Sequence, residues 1–401
     1  MERMGEAFFA SSAQLWADAR GVRVPARPAD RTMGPLLSFL LTMCWGLVLR
    51  SWSGAASGAH LACVAGVQAG CWAFFRAGEV QTLFASFEVA GLSVFAAVGF
   101  FGARERRAAA ALHFAGYSVA SAMMLLVAWM DSLLRGSPGG GWEADGLSPG
   151  MSMALTATFL TKLPAVPFHS WLPRAHVEAS LGGSVLLASV LLKLGAHGLA
   201  WMRSDPAPSG AMGALAFWGL STGTFFACRQ TEAKRFAACT SVAHMATVVA
   251  SFSADAMEAV VLIAVTHGLA GPLLFFWATA TGDRWGTRDL VFCRGLGGTA
   301  PLFSGFLLAS QAASWGAAPV GAFLGEMAFA RGVVAMDLGA GIAALSLCAA
   351  GRVALLAWHA RAVGGPAPVA SSFFRDSGAE ETLFFSFWIS AAMAAGCLLP
   401  R

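Results

Sequence analysis

The chain has 401 residues, of which 57% are apolar and 12% charged, and a net charge of +4 at pH 7. Soluble domains carry about 25% charged residues, so this chain is too apolar for water. Its basic excess is too small and too dispersed to make a nucleic-acid-binding face.

The first thirty-three residues are polar, and their arginines are mixed with Glu2, Glu6, Asp18 and Asp30. Such a segment makes a poor secretory signal and a doubtful transit peptide. Apolar runs then follow one another, most of them near the roughly 20 residues that cross a bilayer: 36–48, 61–75, 80–101, 108–129, 151–168, 179–202, 212–228, 236–252, 256–281, 299–330, 333–358 and 383–399. Some runs are long enough to hide a second span. The expectation is an all-α polytopic membrane protein of about twelve to thirteen helices. Barrel strands need an alternation of period two, which these continuously apolar runs lack.

Short polar strings separate the runs. Those at 102–107 (GARERR) and 228–235 (CRQTEAKR) hold basic residues and read as connections, and the glycine-rich string at 136–141 precedes no strand–helix unit and reads likewise. The eight cysteines lie singly, without a CxxC pair or a histidine at ligand spacing, and read as small packing residues. No metal, haem or iron–sulfur motif is visible, so no cofactor is expected in this chain. The organisation expected is a polar segment over 1–33 and a single membrane domain over 34–401. Within that domain, 80–205 and 210–360 form two related halves, and 361–401 form a loop and a final helix.

Ionisable residues at membrane depth are costly and mark ion or proton paths. Glu88 is the only Asp, Glu, Lys or Arg between Glu79 and Arg104, Lys193 the only one between Glu178 and Arg203, and Glu326 the only one from Gly295 to Ala330. Lys162 ends an uncharged stretch and stands two residues before Pro164. Plainer readings exist: Lys162 near a helix end could snorkel to the interface, and either acid could pair with one base or stay protonated. Two acids and two bases at such depth nevertheless form a chain of titratable sites. Pro164 and Pro167 break the helix just after Lys162, and Pro319 with Gly316, Gly321 and Gly325 break another just before Glu326. One interrupted span in each half, each with an ionisable residue, is the pattern left by inverted-repeat transporters. His244 and His267 lie inside apolar runs, where each is either a hydrogen-bonded core residue or a proton relay. His169 and His176 have no further ligands around them, and His60, His113, His197 and His359 read as structural.

Several strings resemble the antiporter-like, proton-translocating membrane subunits of respiratory complex I, in particular those of the chain 4 type. They are LPAVPFHSWLPRAHVEAS with GGSVLLASVLLKLGAHG, SFEVAGLSVFAAVGFFGARERR, CRQTEAKRFAACTSVAHM, VTHGLAGPLLFF and APVGAFLGE. The resemblance runs from about Leu83 to Glu326, and more weakly to Arg361. It implies a proton path in which Glu88 and Lys162 form a charged pair, Lys193 is the central relay, His267 bridges and Glu326 is the distal site; His244 is a further candidate. It also implies that NAD, FMN, iron–sulfur clusters and ubiquinone belong to other subunits. The implied partners are neighbouring membrane-arm subunits and lipids, and the implied place is the mitochondrial inner membrane, or alternatively a bacterial plasma membrane. Glu326 favours this branch over related cation/proton antiporters and membrane-bound hydrogenases, which usually carry lysine there; a non-pumping scaffold would gain by losing the four charges. Ser180 stands where the family has proline and His197 where tyrosine is common, and one or two N-terminal spans of the family are expected to be missing.

Overall fold

The computed structural model describes residues 33–34, 37–38, 58–102, 105–134, 149–202, 209–316, 321–365 and 376–394. Among them, regular structure is helical apart from one isolated bridge between Glu232 and Asp289. In chain order the helices are α1 (Gly58–Arg76), α2 (Val80–Phe101), α3 (Arg107–Leu134), α4 (Pro149–Lys162), α5 (Trp171–Glu178), α6 (Leu181–Trp201), α7 (Ser209–Arg229), α8 (Ala233–Ser253) and α9 (Met257–Trp285). After these come α10 (Leu296–Thr299), α11 (Pro301–Ser314), α12 (Gly321–Met336), α13 (Leu338–Val363) and α14 (Ala379–Ala394). Helices dominate because lipid offers backbone groups no partners, so each span must satisfy its own.

Among the described residues, eight helices (α1, α2, α3, α6, α7, α8, α9 and α13) are long and apolar enough to cross a membrane. Two further passes are broken, α4 with α5 and α11 with α12, and α14 is a shorter helix. The runs at 80–101 and 179–202 match their helices closely. The run at 299–330 is instead two helices, and the division expected between 330 and 333 falls at Asp337. Asp337 ends α12 and caps α13, its side chain accepting from Ala340 N at 2.7 Å. Arg331 meanwhile stays on α12 and pairs with Glu258 at the start of α9. The basic string at 228–235 is likewise not all connection, because α8 begins at Ala233 and Lys234 is buried. Most of the run at 36–48, together with Pro319, lies outside the described residues.

Burial sorts the spans into two shells. In the apolar windows of α6, α8 and α9, 100%, 83% and 89% of residues are buried, whereas in α13 only 29% are. The outer faces of α2, α3 and α13 carry exposed apolar residues such as Leu92, Phe100, Leu112, Val127 and Val353. The first broken pass places the inner shell. At its break, Leu163 N still donates to Phe159 O, but Ala165 N reaches back to Leu160 O. Thr161 O, which Ala165 N would have bonded in an unbroken helix, accepts instead from the Trp171 indole at 3.0 Å. α6 lies against this break so closely that a Cβ at Gly195 would stand 2.5 Å from Phe159 O and 2.8 Å from Leu163 N. Substituting Gly195→Val should destabilise the fold by about 1–3 kcal/mol, the usual cost of overpacking. Gly116→Ala, at a helical site with nothing within 4 Å, should not; thermal unfolding in detergent compares the two.

Candidate functional site

The six residues singled out by the sequence occupy α2 (Glu88), the last position of α4 (Lys162), α6 (Lys193), α8 (His244), α9 (His267) and α12 (Glu326). The inner shell brings the middle of this series together. Lys193 has no solvent contact, and its ammonium donates to Ala188 O at 2.6 Å and to His267 Nδ1 at 2.8 Å. Ala188 lies in a π-helical turn, Leu187–Leu191, that interrupts α6 just before Lys193. Such bulges re-route backbone bonding and recur at functional sites. Because His267 Nδ1 accepts, the neutral ring carries its proton on Nε2.

His244 lies beside His267, with ring centroids 5.4 Å apart. Its Nδ1 donates to Thr240 O at 2.9 Å, which leaves Nε2 bare and without a hydrogen-bond partner. The Ser314 backbone alongside offers an acceptor that the protonated ring alone can use. His244 also packs on Trp315, 4.5 Å between ring centroids. Beyond Trp315 stands Glu326, paired with Arg352 of α13, while Arg352 Nε donates to Trp315 O at 3.0 Å. A series of contacts therefore links Lys193 through His267, His244, Trp315 and Arg352 to Glu326.

The first charged pair is arranged differently. Lys162 is buried, which removes the snorkelling reading, and its ammonium donates to Ser118 Oγ at 2.9 Å rather than to Glu88. It also lies 4.5 Å from the Phe87 ring centre and 5.0 Å from that of Phe114, at cation–π range. Glu88 is half-buried and acts on Lys162 through space, without a direct ion pair. Among the described residues, no three His, Cys, Asp or Glu gather at metal-binding range.

Residues 77–351, more than half of the chain, match the profile of the family described as NADH:quinone oxidoreductase/Mrp antiporter, transmembrane. The chain belongs to that family. NADH-ubiquinone oxidoreductase chain 4 of Strongylocentrotus purpuratus is 35% identical over 246 residues, covering 56% of this chain and 53% of that protein. NAD(P)H-quinone oxidoreductase chain 4 3 of Picosynechococcus is 32% identical over 282 residues, covering 66% and 51% respectively. The chain thus spans about half the length of these relatives. A chain of respiratory complex I from Thermus thermophilus shares the fold, with a TM-score of 0.78 at 20% identity, over 90% of this chain and 79% of that one.

Three residues of this family member were missed by the sequence reading. Lys234 is fully buried and donates to Ala179 O at 2.9 Å, between α5 and α6; its place in a basic string disguised it. Ser118, the partner of Lys162, gives no signal among many serines. Arg352 does give one, since it is the only Asp, Glu, Lys or Arg between Asp337 and Arg361, the same criterion that picked out Lys193. Replacing His267 by leucine should cost about 1–3 kcal/mol by removing an acceptor from a buried ammonium. His267→Gln should cost less, and the two thermal unfolding midpoints in detergent compare them.

Proposed function

We propose that this chain is a proton-translocating membrane-arm subunit of respiratory complex I in the mitochondrial inner membrane, with a bacterial plasma membrane as the alternative. NADH oxidation and ubiquinone reduction, with their FMN and iron–sulfur clusters, then take place in other subunits. This chain supplies membrane work only, packed against neighbouring antiporter-like subunits and lipid. The observation that carries the reading is the hydrogen bond between fully buried Lys193 and His267, because it joins a titratable base to a ring that can pass a proton through its two nitrogens.

In this reading Glu88 and Lys162 alternate between a close pair and the separated arrangement seen here, in which Lys162 bonds Ser118. Closing that pair withdraws the Glu88 charge from the surroundings and reopening returns it, which changes the proton affinity of Lys193 next along the path. The proton then moves by way of His267 and His244 towards Glu326. The energy scale is adequate. Moving one charge against 100 mV costs about 2.3 kcal/mol, equivalent to roughly a fiftyfold change in proton affinity at about 1.4 kcal/mol per factor of ten. Burial and a neighbouring charge change a lysine's proton affinity by more than that. The halves 80–205 and 210–360, each with one broken pass, act as the two repeats of an inverted-repeat transporter.

One end of the bundle carries a cleft lined by Glu105, Arg106, Arg174, Glu178, Glu232 and Arg235, which brings Glu105 and Arg106 to the same side as Glu232 and Arg235. We assign this end to the compartment that retains positive charge, and proton entry to this side. The purified native complex should contain the chain together with NADH:quinone reductase activity. Copurification with sodium/proton exchange and no NADH oxidation would move the assignment to the antiporter branch. Lys193→Ala should leave the complex assembled and cut coupled proton movement, read with a pH-sensitive dye in proteoliposomes, by at least about tenfold; normal pumping would sink the relay.

A further inference from the structure

Arg352 is an unusual residue for its position. It sits near the middle of α13, an outer helix with mostly exposed, apolar surroundings, where a lone arginine is costly. Its side chain reaches inward and makes two contacts. The guanidinium pairs with the Glu326 carboxylate, and Nε donates to Trp315 O at 3.0 Å. The preceding residue makes this reach possible. At Gly351 a Cβ would lie 2.3 Å from Trp315 Cη2, so α13 docks directly on the indole and brings Arg352 level with the Trp315 carbonyl. The same indole packs on His244.

The groups around Glu326 differ in kind. From α13 it faces Arg352; from α8 and α9 the charges and rings of the line are His244 and His267, with Lys193 behind them. Arg352 is close enough to His244 to act on it electrostatically. The guanidinium itself does not give up its proton in proteins, so it cannot carry the moving proton. It can only attract or release the carboxylate.

We propose that Arg352 is the positioning residue of the distal site, a charge latch that holds Glu326 as a carboxylate and drives it to give up each proton it receives. This rests on the relay reading and deepens it. A proton reaching Glu326 from the His244 side forms an O–H bond on the carboxylate and breaks the ion pair. Arg352 stays charged and stays tethered to the Trp315 carbonyl, so it remains beside the neutral acid. When Arg352 takes back the carboxylate, the proton leaves to the far side, and no electrons change hands. Trp315 couples the two ends of this step, because its ring touches the donor histidine and its carbonyl holds the latch.

The test uses the native complex in proteoliposomes, measuring protons moved per NADH oxidised as the compartment receiving protons is acidified. Without the positive charge, Glu326 keeps its proton against a less acidic compartment. In Arg352→Gln, pumping should therefore fail at a receiving-side pH about one unit higher than in the unsubstituted protein, the lower end of the effect of an adjacent opposite charge. Arg352→Lys keeps the charge but cannot span Trp315 O and Glu326 together, so it should shift in the same sense by less than half as much. Pumping that is merely weaker at every pH, with no shift in either variant, overturns the latch and leaves Arg352 a structural partner. Should Arg352→Gln fail to assemble, Arg352→Met removes the charge in its place, and an unshifted failure pH there overturns the latch. Lys193→Ala in parallel separates the two proposals. Normal pumping there fells the relay and the latch together, whereas lost pumping with an unshifted Arg352 pair fells only the latch.

Discussion

An ammonium with no solvent contact, inside a helix that is itself wholly enclosed by protein, is the constraint around which this bundle is arranged. A charge at that depth is tolerated only where polar partners replace water. The partners of Lys193 include the Ala188 carbonyl and His267 Nδ1. The first comes from the π-helical turn in α6 and the second from α9, so the lysine binds the two inner helices together. Pro272, five residues beyond His267, takes from the Gly268 carbonyl its usual helical donor. Gly271 leaves the ring its space, because a Cβ there would sit 3.3 Å from it.

The two ends of the line solve the same solvation problem with different chemistry. At Lys162 the partners are a neutral hydroxyl and two aromatic faces, which stabilise the ammonium without fixing it to a counter-charge. In the proposed relay such a base responds to Glu88 as that carboxylate approaches or recedes. At Glu326 the partner is a permanent charge on a neighbouring helix. The proposed roles fit this difference: a site that releases protons gains from a partner that cannot be neutralised, and a site that responds to a moving charge gains from partners that carry none.

Broken passes serve both ends. At the first break the Trp171 indole satisfies the carbonyl that the proline-rich segment frees, so irregular backbone is tolerated where protein surrounds it. At the second, Trp315 follows the end of α11 and turns both its ring and its carbonyl to use, against His244 and Arg352. The outer helices contribute less chemistry and more boundary, their exposed faces being apolar as lipid or a neighbouring subunit requires.

Much of this was legible in the residues alone. Continuous apolar runs determine membrane helices because lipid leaves the backbone no other solution, and the ends of α2 and α6 follow directly from theirs. Glu88, Lys193 and Glu326 announced themselves because a charge without charged neighbours is conspicuous in an apolar run, and Pro164 and Pro167 marked the first break because proline lacks a donor. The tertiary structure decided the rest. The division between α12 and α13 depends on the cap made by Asp337, which a hydrophobicity count does not register. The partnership of Lys162 with Ser118 joins positions forty-four residues apart, and that of Arg352 with Glu326 joins two helices whose sequences carry no mark of facing each other. Lys234 is buried because α8 starts earlier than its charged string suggests. A sequence states which groups cannot remain in lipid unaided; only the packing of helices states which groups come to meet them.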